Sequence, residues 1–462
     1  MKGIGILAVA MGAAFVVAFP LGCGSDRQGF NQETEPNGTL DGGGLGDAHA
    51  CVGLECAQAH CGNGIDTTVT GKVYAPNGTL PLYNAIVYVP NAELGVLSDG
   101  VACDKCGAVS GSPVVTALST ADGSFTLSHV PVGKDIPLVI QVGKWRRKVS
   151  IPEVVACTEN KLSGSDLTRL PRNQKEGNMP HIALTSGNCD QLGCMLPKVG
   201  IDPSEFGTAS DGRSKAVHVY HGALEFGDFV PPAWADAQSL WGDANVMKQY
   251  DMLVLSCECE EHLDNKGGGP TGAPFAAMAD YLKSGGRIFT TDFMYTWYRY
   301  SADPGLKSSI AFRGDAPGAG SPMTIDTSFP KGAALADWLS NVGATPVKGE
   351  VTPDVVFGNI ESMDATKSQQ WATSGPLFDT PAGPRLFTVN LPVGVPADQQ
   401  CGKGVHIDAH LNNDGSETVD ATYPAGCASP LKPGENLLAF FFFDLASCIQ
   451  DEGAPPAPPV VR

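Results

Sequence analysis

The chain has 462 residues, of which 42% are hydrophobic and 17% charged, and its formal net charge is −19. Such an acidic balance excludes nucleic acid as a partner, and it excludes charge-driven adhesion to anionic lipid. It favours solubility and suits cation binding, and the length calls for more than one domain.

Residues 1–22 read as a signal peptide. Lys2 supplies a short positive region, and "IGILAVAMGAAFVVAF" is an apolar run too short for a comfortable membrane span. The next residues, "PLGC" (20–23), resemble the lipobox of bacterial lipoproteins, with Pro20 where that family usually has Leu. The resemblance implies lipidation of Cys23 and a membrane anchored through acyl chains. Gly24, not Asp, follows Cys23, so outer membrane or cell surface is the expected destination. Loss of 1–22, with Lys2, takes the charge from −19 to −20. Export implies an oxidising compartment in which disulfides persist. Fourteen cysteines less a lipidated Cys23 leave an odd number, so at least one thiol is free or paired between chains.

Residues 23–65 form a polar, Gly-rich tether without periodicity. At its end Cys51, Cys56 and Cys61 suggest a small disulfide knot, with zinc the alternative. Residues 66–157 read as all-β. Short β-branched runs, "TVTGKVYAP", "NAIVYVP", "VVTALST", "GSFTLSHVP" and "DIPLVIQVGKWRRKVSIPEV", are punctuated by Gly and Pro. These runs, and "TADGSFTLSHVPVG" above all, resemble the carboxypeptidase regulatory-like family. That family implies a transthyretin-like β-sandwich with an accessory role and no peptidase site. Asp122–Gly123 is expected to turn a hairpin, with Phe125 and Leu127 pointing inward. Within this region Cys103-x-x-Cys106 reads as a loop staple, a redox pair being the alternative. Residues 158–212 read as an irregular connector with another close pair, Cys189 and Cys194.

In 213–449 strand-like and helix-like runs alternate. "KAVHVYHG", "YDMLVLSCE", "RIFTTDF", "PRLFTVNLP" and "KGVHIDAHL" read as strands. "APFAAMADYLKSGG" and "GAALADWLSNVGA" carry helical spacing closed by Gly, and "GENLLAFFFFDLASC" is assigned to a buried helix. Alternation predicts an α/β domain with a mostly parallel sheet. "YDMLVL" and "YLKSGGRIF" resemble the flavodoxin-like domains of the glutamine amidotransferase and ThuA group. A Pro-rich tail, 450–462, ends the chain. The whole combination resembles myxobacterial-type surface lipoproteins.

Ligands of parallel sheets bind at strand carboxyl ends, and "SCECEEH" (256–262) begins where the second strand should end. Three readings compete. A nucleophilic Cys257, with His406 or His410 as base, lacks the small neighbours of a nucleophile elbow, and Glu258 works against a thiolate. A metal set of Cys257, Cys259 and His262 with Glu260 or Glu261 has no standard zinc spacing. Disulfides from both Cys257 and Cys259 to distant partners are therefore expected. A rim of Cys257, Glu258, Asp292 and His410 is the candidate ligand site. In "NNDGSETVD" (412–420), Asp414, Glu417 and Asp420 resemble half a calcium loop but fail the EF-hand pattern. Trp241 and "WYRY" (297–300) could stack on sugars but more often belong to a core. The expectation is a non-catalytic binding or structural module of the cell envelope, with a carbohydrate or envelope ligand and no cofactor. An extracytoplasmic hydrolase or amidotransferase-like enzyme using Cys257 and His410 is the alternative.

Overall fold

A computed structural model describes residues 51–461, except 104–108, 224–230, 232, 413–416, 418 and 421. Seven strands occupy the first region: β1 (Thr68–Lys72), β2 (Ile86–Pro90), β3 (Pro113–Leu118), β4 (Ser124–Leu127), β5 (Gly133–Val142), β6 (Trp145–Val154) and β7 (Glu159–Lys161). They form two sheets, ordered β4-β1-β7 and β3-β2-β5-β6. Val69 of β1, Val87 of β2, Leu127 of β4 and Ile140 of β5 share one buried cluster. Phe125 and Leu127 are buried as expected. The Asp122–Gly123 turn differs from expectation. It joins β3 to β4, which lie in different sheets, so it is a corner and not a hairpin. The Asp122 carboxylate closes it by accepting from Thr120 Oγ1 at 2.7 Å and from Ser124 N at 3.1 Å. Gly123 is required there: its φ is +81°, and a Cβ would lie 2.8 Å from Val73 O.

The large sheet begins inside the span expected to be irregular. β8 (Ile182–Thr185) is its first strand, and β9 (Phe206–Gly207), β10 (Val217–His221), β11 (Ala235–Asp236), β12 (Met252–Leu255) and β13 (Arg287–Thr291) follow. All four residues of β8 are buried, so it lacks the alternation by which a half-exposed strand is recognised. Next come β14 (Ile310–Phe312), β15 (Met323–Ile325), β16 (Glu350–Val351), β17 (Val355–Val356), β18 (Ile360–Met363), β19 (Gln369–Ser374), β20 (Gly383–Leu391), β21 (Gly402–Ile407) and β22 (Ala409–His410). The sheet order is β11-β10-β8-β12-β13-β21-β20-β19-β15-β16. From β11 to β21 all pairings are parallel, and from β21 to β16 all are antiparallel. The sheet is therefore mixed, and "PRLFTVNLP" runs against its neighbour.

The three expected helices form at Ala273–Lys283, Pro330–Asn341 and Pro433–Ala446. The last is buried along nearly its whole length. It touches the large sheet at β13 and β21. Trp145 of β6 meets Phe442 and Phe443 edge-on, with centroids 6.3 and 6.1 Å away, and Tyr83 stacks on Phe440. Four consecutive phenylalanines suit a helix covered on both sides. Lys331, Lys403, Asp444 and Glu452 form a buried ionic network beside it. The described residues belong to one compact unit, Cys51–Arg462. Trp338 Nε1 donates to Pro81 O at 2.8 Å, and Lys144 pairs with Asp251 at 2.6 Å. Among the described residues, no helix is long and apolar enough to cross a membrane.

Candidate functional site at the switch point of the sheet

From β8 the chain crosses to β10 on one side, then returns to β12 on the other. Between β8 and β12 the winding reverses, and there the loops beyond the two carboxyl ends diverge and leave a crevice. "SCECEEH" occupies that position, directly after β12. A disulfide between Cys189 and Cys259 ties the loop after β8 to the loop after β12, and Gly187 packs so closely that a Cβ would meet Cys257 O at 2.2 Å.

Cys257, Asp292 and His410 converge here, and all three are buried. Asp292 follows β13 and adopts φ +39°, a left-handed conformation that Asp tolerates better than most residues. His410 lies in β22, just past β21. The Cys257 thiol donates to Asp292 Oδ2 at 3.3 Å, and His410 Nε2 donates to the same oxygen at 2.9 Å. Asn359 Nδ2 donates to Asp292 Oδ1 at 2.8 Å and to Asp408 Oδ1 at 2.9 Å. The amide of Cys259 points at Cys257 Sγ, 3.4 Å away. Phe357 packs against the His410 ring, with centroids 4.7 Å apart.

The electrostatics follow from burial. Burial pushes the Cys257 thiol well above its ordinary range, and the Asp292 charge pushes it further. Burial alone would lower the His410 imidazole, but the hydrogen bond and charge of Asp292 outweigh it, and the net shift is upward. Asp408 is raised to about 7 by burial and by Asp292, and Asp190 to about 6 by burial. Asp190 accepts backbone N–H groups of Leu411 at 3.1 Å and Asn412 at 2.8 Å, which holds the chain just past His410.

Of the four rim residues, three meet. Glu258 does not join them. Its carboxylate pairs with Lys266 at 2.6 Å, both side chains being fully buried, and accepts from Ala223 N at 2.7 Å. The expected pair of disulfides is half right: Cys259 bridges to Cys189, whereas Cys257 is a free thiol. Its thiol is engaged by Asp292. The set of Cys257, Cys259 and His262 is not assembled. Cys259 is consumed by its disulfide, and His262 Nε2 lies 3.0 Å from Glu258 O. Glu261 instead accepts from Tyr295, Arg299 and Tyr300. His406 is buried among aromatic rings, beside Thr290 Oγ1 at 3.0 Å, and burial drives its pKa to about 3. It is a core residue and not a base. Trp241, Trp297 and Tyr298 are likewise fully covered.

Elsewhere, Cys51 pairs with Cys56 and Cys61 with Cys157. Cys103 pairs with Cys401, not with Cys106, which lies outside the described residues. Cys194 pairs with Cys427. Asp414 is also outside the described residues. Glu417 is engaged by Lys198 and by Ser429 N, and Asp420 closes a turn onto Thr422 N at 2.7 Å. Sequence reasoning passed over Asn359 and Asp408, which orient Asp292, and Asp190. Asp408 stands inside "VHIDAHL", between two histidines that were singled out. Asn359 lies in a loop with no pattern to mark it.

No family model and no curated protein matches the chain. Among solved structures it is similar to a ThuA-like protein from Bacteroides uniformis, at 9% identity over 57% of this chain and 89% of that one, with a TM-score of 0.31. It is similar to a cytoplasmic protein from Salmonella typhimurium at 10% identity, over 57% and 98% of the two chains, with a TM-score of 0.29. A type II cohesin–X-dockerin complex from Acetivibrio cellulolyticus matches at 15% identity, over 32% and 79%, with a TM-score of 0.16.

Proposed function

We propose that this is an exported, lipid-anchored protein of the cell envelope whose α/β domain binds a carbohydrate or another envelope component without turning it over. The observation that carries the non-catalytic reading is the place of Asp292 between Cys257 and His410. A nucleophilic thiol needs the imidazole beside it to take its proton. Here the carboxylate stands in that position, and burial together with the Asp292 charge disfavours the free thiolate. Five described disulfides suit an oxidising compartment. The anchor rests on "PLGC", and Gly24 in place of Asp after Cys23 favours the outer membrane or cell surface.

Two finer assignments of fold belong to this reading. The paired sheets of 68–161 support a transthyretin-like sandwich acting as a spacer. The order β10-β8-β12-β13-β21, which is 2-1-3-4-5 in chain order, supports a flavodoxin-like core. For the ligand, a groove of 730 Å³ lies where the α/β domain borders the first region, which shares its lining: Asn341 and Pro430 come from the one, and Asn77, Thr79 and Pro81 from the other. That volume lies in the range of small-ligand sites, and amides and hydroxyls beside apolar rings suit a sugar.

Binding of the full chain to peptidoglycan fragments and a glycan array tests the reading. Asn341→Trp, which fills the groove, should abolish any binding found. Absence of binding, or binding indifferent to that substitution, would count against it. Cys23→Ala should release the protein from membranes. The hydrolase reading keeps one observation, the convergence of Cys257, Asp292 and His410 at strand carboxyl ends. It requires fast alkylation of Cys257 below pH 7.

A further inference from the structure

We infer that Cys257, Asp292 and His410 are the three protein ligands of a buried divalent zinc site, an inference that goes beyond the binding reading and does not depend on it. Their ligand atoms all lie within 4.8 Å of one another. Cys257 Sγ is 3.3 Å from Asp292 Oδ2, and His410 Nε2 is 2.9 Å from it. A tetrahedral zinc with bonds of about 2.3 Å to sulfur and about 2.0–2.1 Å to nitrogen and oxygen separates its ligand atoms by roughly 3.2–3.6 Å. The two spacings to Asp292 Oδ2 therefore need to open by only a few tenths of an ångström, and the third, between Cys257 and His410, lies within 4.8 Å. Sulfur, imidazole nitrogen and carboxylate oxygen together are a donor set that zinc accepts. Three protein ligands leave a fourth position for water or a ligand oxygen.

The surroundings suit a metal better than a bare hydrogen-bonded cluster. Asn359 Nδ2 holds Asp292 Oδ1 at 2.8 Å, which leaves Oδ2 as the oxygen shared by Cys257 and His410. The Cys259 amide, 3.4 Å from Cys257 Sγ, would donate to a thiolate. Such outer groups orient ligands in metal sites. The carboxylates of Asp190 and Asp408 are fully buried nearby, and among the described residues neither is within ion-pairing distance of a lysine or arginine. A divalent ion would add positive charge beside them. Cys257 is also the free cysteine among described residues that otherwise form disulfides. Binding displaces the thiol proton to solvent, sulfur then bonding as thiolate. His410 binds through Nε2, its ring proton residing on Nδ1.

Cobalt substitution in the full, disulfide-intact chain is the test. Co²⁺ is offered both to the folded protein and during oxidative refolding. The expected result is a single equivalent bound, with visible bands of tetrahedral intensity and a near-ultraviolet thiolate-to-cobalt charge-transfer band, all displaced by zinc. Cys257→Ala should remove the charge-transfer band. Asn359→Ala should keep the band and weaken binding by about 10–100-fold. The wild-type spectrum decides the matter even where a variant fails to fold. No cobalt uptake by either route, bound cobalt without a thiolate band, or a band that survives in folded Cys257→Ala would each overturn the inference.

Discussion

The two-sheet region and the α/β region handle charged groups differently in degree. In 68–161 the core is mostly aliphatic, with Tyr88, Phe125 and Trp145. A pair made within the region, Lys72–Asp122, lies at the surface, with both side chains more than two-fifths exposed, while its buried Lys144 reaches across to Asp251. The α/β region instead buries charge. Lys266 with Glu258, Lys198 with Glu435, and Lys331 and Lys403 with Asp444 are all nearly or fully enclosed. Buried pairs of this kind add little net stability over apolar packing, yet breaking one is costly because it strands a charge. The first region should therefore tolerate change at its surface pairs. The second holds the candidate site, and its tolerance should be narrow.

The sharpest way to break this contrast is to remove a buried charge. Asp444→Ala leaves Lys331 and Lys403 with Glu452 alone, one buried positive charge uncompensated, and should cost about 3–5 kcal/mol in chemical denaturation. A loss below about 1 kcal/mol would mean that the network is wet. Cys259→Ser removes the clamp to Cys189 and should cost about 2–5 kcal/mol. Cys257→Ala should cost less than Cys259→Ser, because no disulfide is lost.

Acid sensitivity should also reside in the second region. Burial lowers His181 to about 3, and its ring packs against His218 and Tyr250. The folded pKa is below the unfolded value near 6.5, so the unfolded state binds the proton more readily. This contribution to stability is complete above about pH 6.5 and declines as pH falls toward 3, by about 1.4 kcal/mol per pH unit. His181→Gln should reduce the slope of stability against pH in that window, and an unchanged slope would refute the assignment. The smallest effect is expected in the sandwich. Lys72→Met should change stability by no more than about 1 kcal/mol, and salt should shrink even that.

The same contrast explains what the sequence revealed. Sandwich strands were legible because one face is buried and the other is not, as in Ser124–Leu127. The helices at 273–283 and 330–341 were legible from periodicity and terminal glycines. β8 was hidden because all four of its residues are buried. The antiparallel half of the large sheet was hidden because strand direction leaves no mark on composition. At the site, strand-end position singled out Cys257, Asp292 and His410, which meet although 35 and 118 residues separate Asp292 from the other two. Partner choice was not legible. Whether Cys257 meets a sulfur, and whether Glu258 meets a lysine, depends on loops whose course only the fold determines.

The most direct test of the account is the oxidation state and accessibility of Cys257. The native chain is treated with iodoacetamide without reductant, then unfolded, treated with a second alkylating label, and mapped by mass spectrometry. The account predicts that Cys257 escapes the first label, takes the second, and appears in no disulfide, while Cys259 is found joined to Cys189. Recovery of Cys257 in a disulfide, or its rapid labelling in the native protein, would contradict it.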